Sequence, residues 1–268
     1  MPGSAGNQEY VKTTFDDGTD GGPKGARNYS YNYDRDMFAS LWVAYPLYAG
    51  SIGGSNSANW KEDPNVPDEY EVNIYNHSYG VNVGSTTSEG YTGSGTYYAR
   101  GHQIPNADRK NYASMNSQTY YVTNSTPQNN KFNGGIWNSL ENAVRDAIPA
   151  NDTLYVVTGA AFQKAGSPEK EVIWILPQDE TVKKCPVPNY YWKVLLKVKR
   201  DQEKKVTSAS AIGFWFENMD YQSDSYANHA VSVDQIEQWT GFDLFVNLPD
   251  VRENAAEANT SWTTFQNF

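Results

Sequence analysis

The chain has 268 residues, 38% hydrophobic and 19% charged, with 20 Tyr, 8 Trp, 10 Phe and a formal net charge of −10. That length allows one large domain, no stretch approaches the roughly 18 consecutive apolar residues of a membrane-spanning helix, and the aromatic content excludes wholesale disorder. The negative charge excludes a protein that coats nucleic acid indiscriminately, but not an enzyme that touches a few phosphates in one cleft.

Met1 to Gly6 lack a charged region followed by an apolar one and read as an expression remnant or a trimmed start. Residues 1–34, rich in Gly, Asp, Asn and Tyr without period, read as a polar N-terminal arm ahead of one domain over residues 35–268. Phe38–Leu47 is the first strand-like run, and residues 63–95, with Pro64 and Pro67, predict loop with short strands. Thr119–Thr123 predicts a strand. Ile136, Trp137, Leu140, Val144 and Ile148 recur at helical spacing and predict a helix over 134–148, ended by Pro149. Further strands are predicted at Leu154–Thr158, Val172–Leu176, Tyr190–Val198 and Ser208–Phe216. A second helix is predicted over 233–240, where Ser232 and Gln235 make a capping box and Gly241 supplies the stop. The tail from 251 is polar. This order predicts a single α+β domain with a mainly antiparallel central sheet.

Lys193, Lys197 and Lys199 alternate with Val194, Leu196 and Val198, which reads as the solvent face of a strand. The single cysteine, Cys185, excludes an intrachain disulfide and a cysteine-based metal cluster. Its polar setting, Lys183-Lys184-Cys185-Pro186, reads as a turn and argues against a thiol nucleophile.

His77 and His229 read as surface or satisfied histidines, whereas His102 follows Arg100 by two residues across Gly101. On an extended segment the two side chains share a face, so a guanidinium that grips phosphate stands beside an imidazole that takes a proton from water. Asn133 precedes the predicted helix and Glu141 lies on it; the plain readings are a helix N-cap and a solvated face. Along a helix the two are separated by about 12 Å, too far to bind one ion directly together. The pair suits a hard cation held by one amide oxygen, with the carboxylate acting through water, an arrangement Mg²⁺ tolerates.

The string Arg100-Gly101-His102, then Asn124-x-x-Pro127-Gln128, then Asn133-x-x-x-Trp137-x-x-Leu140-Glu141 resembles the DNA/RNA non-specific endonucleases. These are the ββα-metal, or His-Me finger, enzymes that include bacterial secreted nucleases and endonuclease G. Trp42-Val43-Ala44-Tyr45, Asn59-Trp60-Lys61-x-Asp63-Pro64 and Trp239-Thr240-Gly241-x-Asp243-Leu244-Phe245 extend the likeness over roughly residues 37 to 250. The resemblance implies a ββα-metal active-site motif with His102 as general base. It implies Asn133 as the sole direct protein ligand of a hydrated Mg²⁺ (Mn²⁺ or another divalent cation also serving) and Glu141 orienting its waters. Asn124 and Arg100 would support the phosphate and the developing charge. The implied activity is sugar-non-specific hydrolysis of DNA and RNA to 5′-phosphate and 3′-hydroxyl ends, with no membrane partner, the homodimer left open, and a secreted or periplasmic home.

Two positions depart from the family pattern. Ala99 stands where the motif usually begins with Asp, and Ala58 where an arginine precedes the Asn-Trp pair; Arg109 is the basic residue offered in its place as a substrate contact. These departures motivate one alternative, a catalytically weakened member acting as a binding module. The Tyr, Trp and Asn content motivates another, a secreted glycan-binding protein.

Overall fold

The computed structural model describes residues 9–18, 22–72, 98–175 and 183–268. His77, the 73–95 part of the predicted loop and the Leu176 end of the fourth predicted strand lie outside the described residues.

Residues 9–34 are not an arm. β1 (Glu9–Phe15) pairs antiparallel with β2 (Arg27–Asp34), and β2 with β3 (Ala39–Leu47). The cause lies in tyrosine, which counts as polar in composition yet buries a large ring and needs one acceptor for its hydroxyl. Tyr29, Tyr31 and Tyr33 alternate on β2 and are all buried. Their hydroxyls donate to Gln118 O at 2.8 Å, Asp63 Oδ2 at 2.5 Å and Tyr70 O at 2.8 Å.

After β4 (Tyr98–His102) the chain forms the short helix α1 (Ala113–Gln118). The predicted strand at Thr119–Thr123 is instead a series of tight turns: the Thr119, Tyr120 and Tyr121 amides donate to the carbonyls of Asn116, Ser117 and Gln118. Its apolar residues are buried by packing, not by a ladder. The strand begins later, as β5 (Ser125–Asn129), which pairs antiparallel with β4. The helix that follows also starts earlier than its apolar period indicates. It runs through α2 (Asn130–Phe132), a π turn (Asn133–Trp137) with a kink at Gly135, and α3 (Asn138–Asp146). Its cap is Asn129, whose side chain accepts from the amides of Lys131 and Phe132, so Asn133 lies inside the helix and is not the N-cap.

β6 (Leu154–Ala161), the short pair β7 (Ile173–Ile175) and β8 (Cys185–Val187), β9 (Tyr190–Arg200), β10 (Val206–Glu217) and β11 (Ala230–Val231) complete the strands. The main sheet has the order β1-β2-β3-β6-β9-β10-β11 with every pairing antiparallel, which matches the predicted α+β class. Cys185 lies in β8, not in a polar turn; it is buried, and that burial pushes its thiol pKa up, which keeps it unreactive. The predicted second helix forms as α4 (Val233–Thr240). Ser232 accepts from the Gln235 amide at 3.1 Å, and Gly241 closes the helix in the left-handed region at φ 76°. The polar tail folds into α5 (Asp250–Glu257) and α6 (Trp262–Gln266), anchored by buried Ala256, Trp262 and Phe265.

The sheet is covered on both faces. The α2–α3 helix and α6 pack on one face, through Phe132, Trp137, Leu140, Val144, Trp262 and Phe265. On the other, α4, α5 and the 242–248 loop pack against Trp192, Val194, Leu196 and Trp215. The layer formed by the α2–α3 helix and α6 overturns the solvent-face reading of two lysines. Lys193 is 1% and Lys197 7% exposed, and only Lys199 reaches solvent. The Lys197 ammonium donates to Phe265 O at 3.1 Å, which satisfies it beneath α6.

Candidate active site

Arg100, His102, Asn124, Asn133 and Glu141 all belong to the segment from β4 to α3, a ββα unit lying beside the main sheet. The β4–β5 register sets His102 opposite Ser125 and Arg100 opposite Pro127. Gly101 between them faces the buried Gln128 side chain so closely that a β-carbon would overlap it, which explains why no larger residue separates Arg100 from His102.

Arg100 and His102 do share a face, and the surface they share is Trp60. The guanidinium lies 4.8 Å from the Trp60 ring centroid and the imidazole 4.6 Å from it, while Tyr120 meets the imidazole edge-on at 5.4 Å. Trp60 reaches this position because Lys61 forms a parallel bridge with Tyr121: the Lys61 amide donates to Tyr120 O and the Val122 amide to Lys61 O, both at 3.0 Å. Asp63 fixes the same segment by accepting from Tyr31 and Thr123 hydroxyls. Neither Trp60 nor Tyr120 was singled out as a site residue by sequence reasoning. The Asn59-Trp60-Lys61 string carried the signal for the first, and nothing local carried it for the second.

His102 Nε2 is buried and makes no hydrogen bond to a described residue. Burial, and then the Arg100 charge, lower the imidazole pKa to about 4. The ring is therefore neutral at pH 7, with a nitrogen lone pair available to accept a proton.

Asn124 is placed differently from the expected phosphate contact. Its side chain is wholly buried and spent on the backbone: Oδ1 accepts from the Ile104 amide at 3.0 Å, and Nδ2 donates to Ile104 O and Thr119 O at 3.0 and 2.8 Å. It fastens the chain just after His102 and so acts on the site through backbone position. Arg109 also departs from expectation. It is fully buried, its guanidinium donating to Asn28 Oδ1 at 2.7 Å, Asn28 O at 3.0 Å, Pro46 O at 2.7 Å and Asp108 O at 2.9 Å. A cation so enclosed holds β2 and β3 together and is not available to substrate; Arg109 is a structural residue.

Glu141, at the start of α3, is half-buried rather than on a solvated face. Burial raises its carboxyl pKa, opposed first by Lys193. Lys193 lies across from it, donating to Thr158 Oγ1 and sitting 4.8 Å from the Trp137 ring, and burial lowers its own pKa. Asp108 completes the group, accepting from Tyr45 OH at 2.9 Å and pairing with Arg145 at 2.8 Å. Lys193 and Asp108 are further residues that sequence reasoning missed; a lysine alternating with valines looks the same whether the strand face is wet or covered.

Asn133 is half-buried in the π turn, a local widening that recurs at functional sites, and its side chain makes no hydrogen bond to a described residue. An uncommitted amide oxygen, with the Glu141 carboxylate further along the same helix to act through water, offers oxygen donors that fit a hard, hydrated cation such as Mg²⁺. A groove of about 630 Å³ lies elsewhere, between Trp42, Tyr155, Leu196 and the Phe242–Leu248 loop. Its lining is largely apolar and carries none of the ββα residues, so it is not a phosphate-binding cleft.

A family model described as DNA/RNA non-specific endonuclease matches residues 7–251. The chain is 28% identical over 233 residues to a protein named "Nuclease EXOG, mitochondrial" from Xenopus laevis, covering 82% of this chain and 57% of that protein. It is 27% identical over 231 residues to a protein named "Nuclease" from Serratia marcescens, covering 83% and 74%. The matched region thus spans little more than half the length of the frog protein. A solved structure of EndoG in complex with EndoGI superposes with a TM-score of 0.65 at 20% identity, covering 90% of this chain and 88% of that one, which supports the shared fold.

Proposed function

The chain belongs to the DNA/RNA non-specific endonucleases, and from that premise we propose that it hydrolyses phosphodiester bonds of both DNA and RNA with His102 as general base. The observation that carries the proposal is the buried Nε2 of a neutral imidazole, held beside Arg100 with no hydrogen bond to a described residue. His102 takes the proton of the attacking water, and its low pKa keeps the accepting form present throughout the neutral range. Trp60 and Tyr120 fix the ring plane, so little orientation is lost at the moment of proton transfer. Arg100, on the same face, meets the phosphate oxygens as negative charge builds on them.

Asn133 would hold the divalent cation directly, and Glu141, its own position steadied by Lys193, would orient the waters around it. A bound Mg²⁺, or Mn²⁺ in its place, supplies Lewis-acid stabilisation of the leaving 3′-oxygen. Asn124 acts as a positioning residue, because its three hydrogen bonds hold the backbone that follows His102. Contacts of this kind go to phosphate and sugar and carry no base information, in keeping with non-specific cleavage. Family membership leaves the glycan-binding alternative without support.

The test is the chemistry of the product ends. Digestion of DNA and RNA in Mg²⁺ is expected to leave 5′-phosphate and 3′-hydroxyl termini on both. A 2′,3′-cyclic phosphate on the RNA products contradicts water as the nucleophile, and a 3′-phosphate on either substrate contradicts the 3′-oxygen as the leaving group.

A further inference from the structure

On the sheet face opposite the α2–α3 helix, α4 and α5 bring three carboxylates together. Asp234, Glu237 and Glu257 each present an oxygen within 4.8 Å of the others. Asp234 and Glu237 are one helical turn apart on α4, and Glu257 ends α5. The group grades from exposed Asp234 to Glu257, which is 4% exposed and whose Oε1 is buried without a hydrogen-bond partner. Among the described residues no Lys, Arg or His forms an ion pair with any of the three.

A buried carboxylate with neither cation nor donor is strongly disfavoured in its charged form. Burial, followed by the charges of Glu237, Glu253, Asp234 and Asp243, pushes Glu257 up to about 8. Glu237 is raised in the same direction, again by burial first. Its Oε1 accepts from the Leu244 amide at 2.6 Å, which aims the carboxylate and leaves Oε2 for another partner. The arrangement has the marks of a site whose positive member is missing from the chain itself.

We propose that Asp234, Glu237 and Glu257 bind a calcium ion that fastens α5 to α4, on the side of the sheet away from the nuclease centre. The donors are all oxygen, which selects a hard cation over zinc or copper. Three oxygens within 4.8 Å of one another can share one cation, and Ca²⁺ accepts such an irregular carboxylate set in its flexible coordination, whereas Mg²⁺ demands near-ideal octahedral geometry and dehydrates reluctantly. The exposed Asp234 end leaves room for waters to complete the six to eight ligands that Ca²⁺ takes. The ion would offset the mutual repulsion of the acidic residues and hold the 242–248 loop between the two helices.

The test is thermal unfolding of the full chain, freed of metal with EDTA and then scanned with Ca²⁺ alone. Ca²⁺ is expected to raise the midpoint by several degrees, because an ion that binds only the folded state stabilises it by mass action. Glu257→Gln should abolish that rise while leaving the metal-free midpoint at or above wild type, since the amide keeps the shape and, like the protonated carboxyl, carries no charge. Asp234→Asn, an exposed change that leaves folding intact, should weaken Ca²⁺ binding at least about tenfold, as expected for loss of a charged ligand. Asn133→Ala should still respond, which separates this site from the nuclease centre. No response in the wild type, a response that survives Glu257→Gln, or loss of the response in Asn133→Ala would each overturn the proposal.

Discussion

Replacing His102 with alanine is expected to lower the cleavage rate about 10²–10⁴-fold, the contribution of a positioned general base, while the protein stays folded and its unfolding midpoint falls by only several degrees. The two outcomes separate because Nε2 makes no hydrogen bond to a described residue, so its removal leaves no described group newly unpaired. What the fold loses is ring packing against Trp60 and Tyr120, worth about 0.5–1.5 kcal/mol per aromatic pair. Steady-state rates on plasmid DNA, measured beside a thermal scan, check both halves. A variant that cleaves at near-normal rate would remove His102 from the mechanism; one that fails only because it is unfolded would make the residue structural.

Arg109→Met is expected to show the opposite signature: a loss of several kcal/mol in stability, the cost of leaving buried acceptors without a donor. Methionine preserves much of the volume, but Asn28 Oδ1, Asn28 O and Pro46 O lose their donor within the core. Each unsatisfied acceptor costs about 1–3 kcal/mol. Equilibrium unfolding in urea measures the change, and the midpoint should fall without a change in slope. A variant of wild-type stability with weakened DNA binding would instead restore Arg109 as a substrate contact.

The parts of this protein legible in its sequence are those in which local pattern and tertiary setting agree. α4 forms at its predicted bounds because Ser232 caps it, Gly241 stops it and Val233 and Ile236 face the sheet. β3, β6, β9 and β10 were visible as apolar runs because central strands are buried on both faces. The same two-sided burial hid Lys193 and Lys197, since alternation reports which residues share a face and not what covers that face. β2 was hidden by tyrosines whose hydroxyls find acceptors on distant elements, Gln118, Asp63 and Tyr70. The helix start was misjudged because Asn129 and Asn133 are equally good caps on paper, and the π turn carries Asn133 into the helix.

The site shows the same division. Arg100 and His102 were readable because a two-residue period on a strand is purely local. The distinction between Asn124 and Arg109 as contacts or supports was not, because it depends on partners far away in sequence: Asn28, Pro46 and Ile104. Ala99 and Ala58 remain the two departures from the family pattern. Ala99 sits in the β4–β5 ladder opposite Gln128, so the missing carboxylate leaves the ββα pairing intact.

The central claim is a metal-dependent nuclease that does not discriminate between the two sugars, and the most direct measurement is degradation of plasmid DNA and total RNA by the purified protein in Mg²⁺, with and without EDTA. Breakdown of both substrates, stopped by EDTA, is the predicted result. A folded protein that leaves both intact in Mg²⁺ and in Mn²⁺, or that cleaves equally well in EDTA, would contradict it.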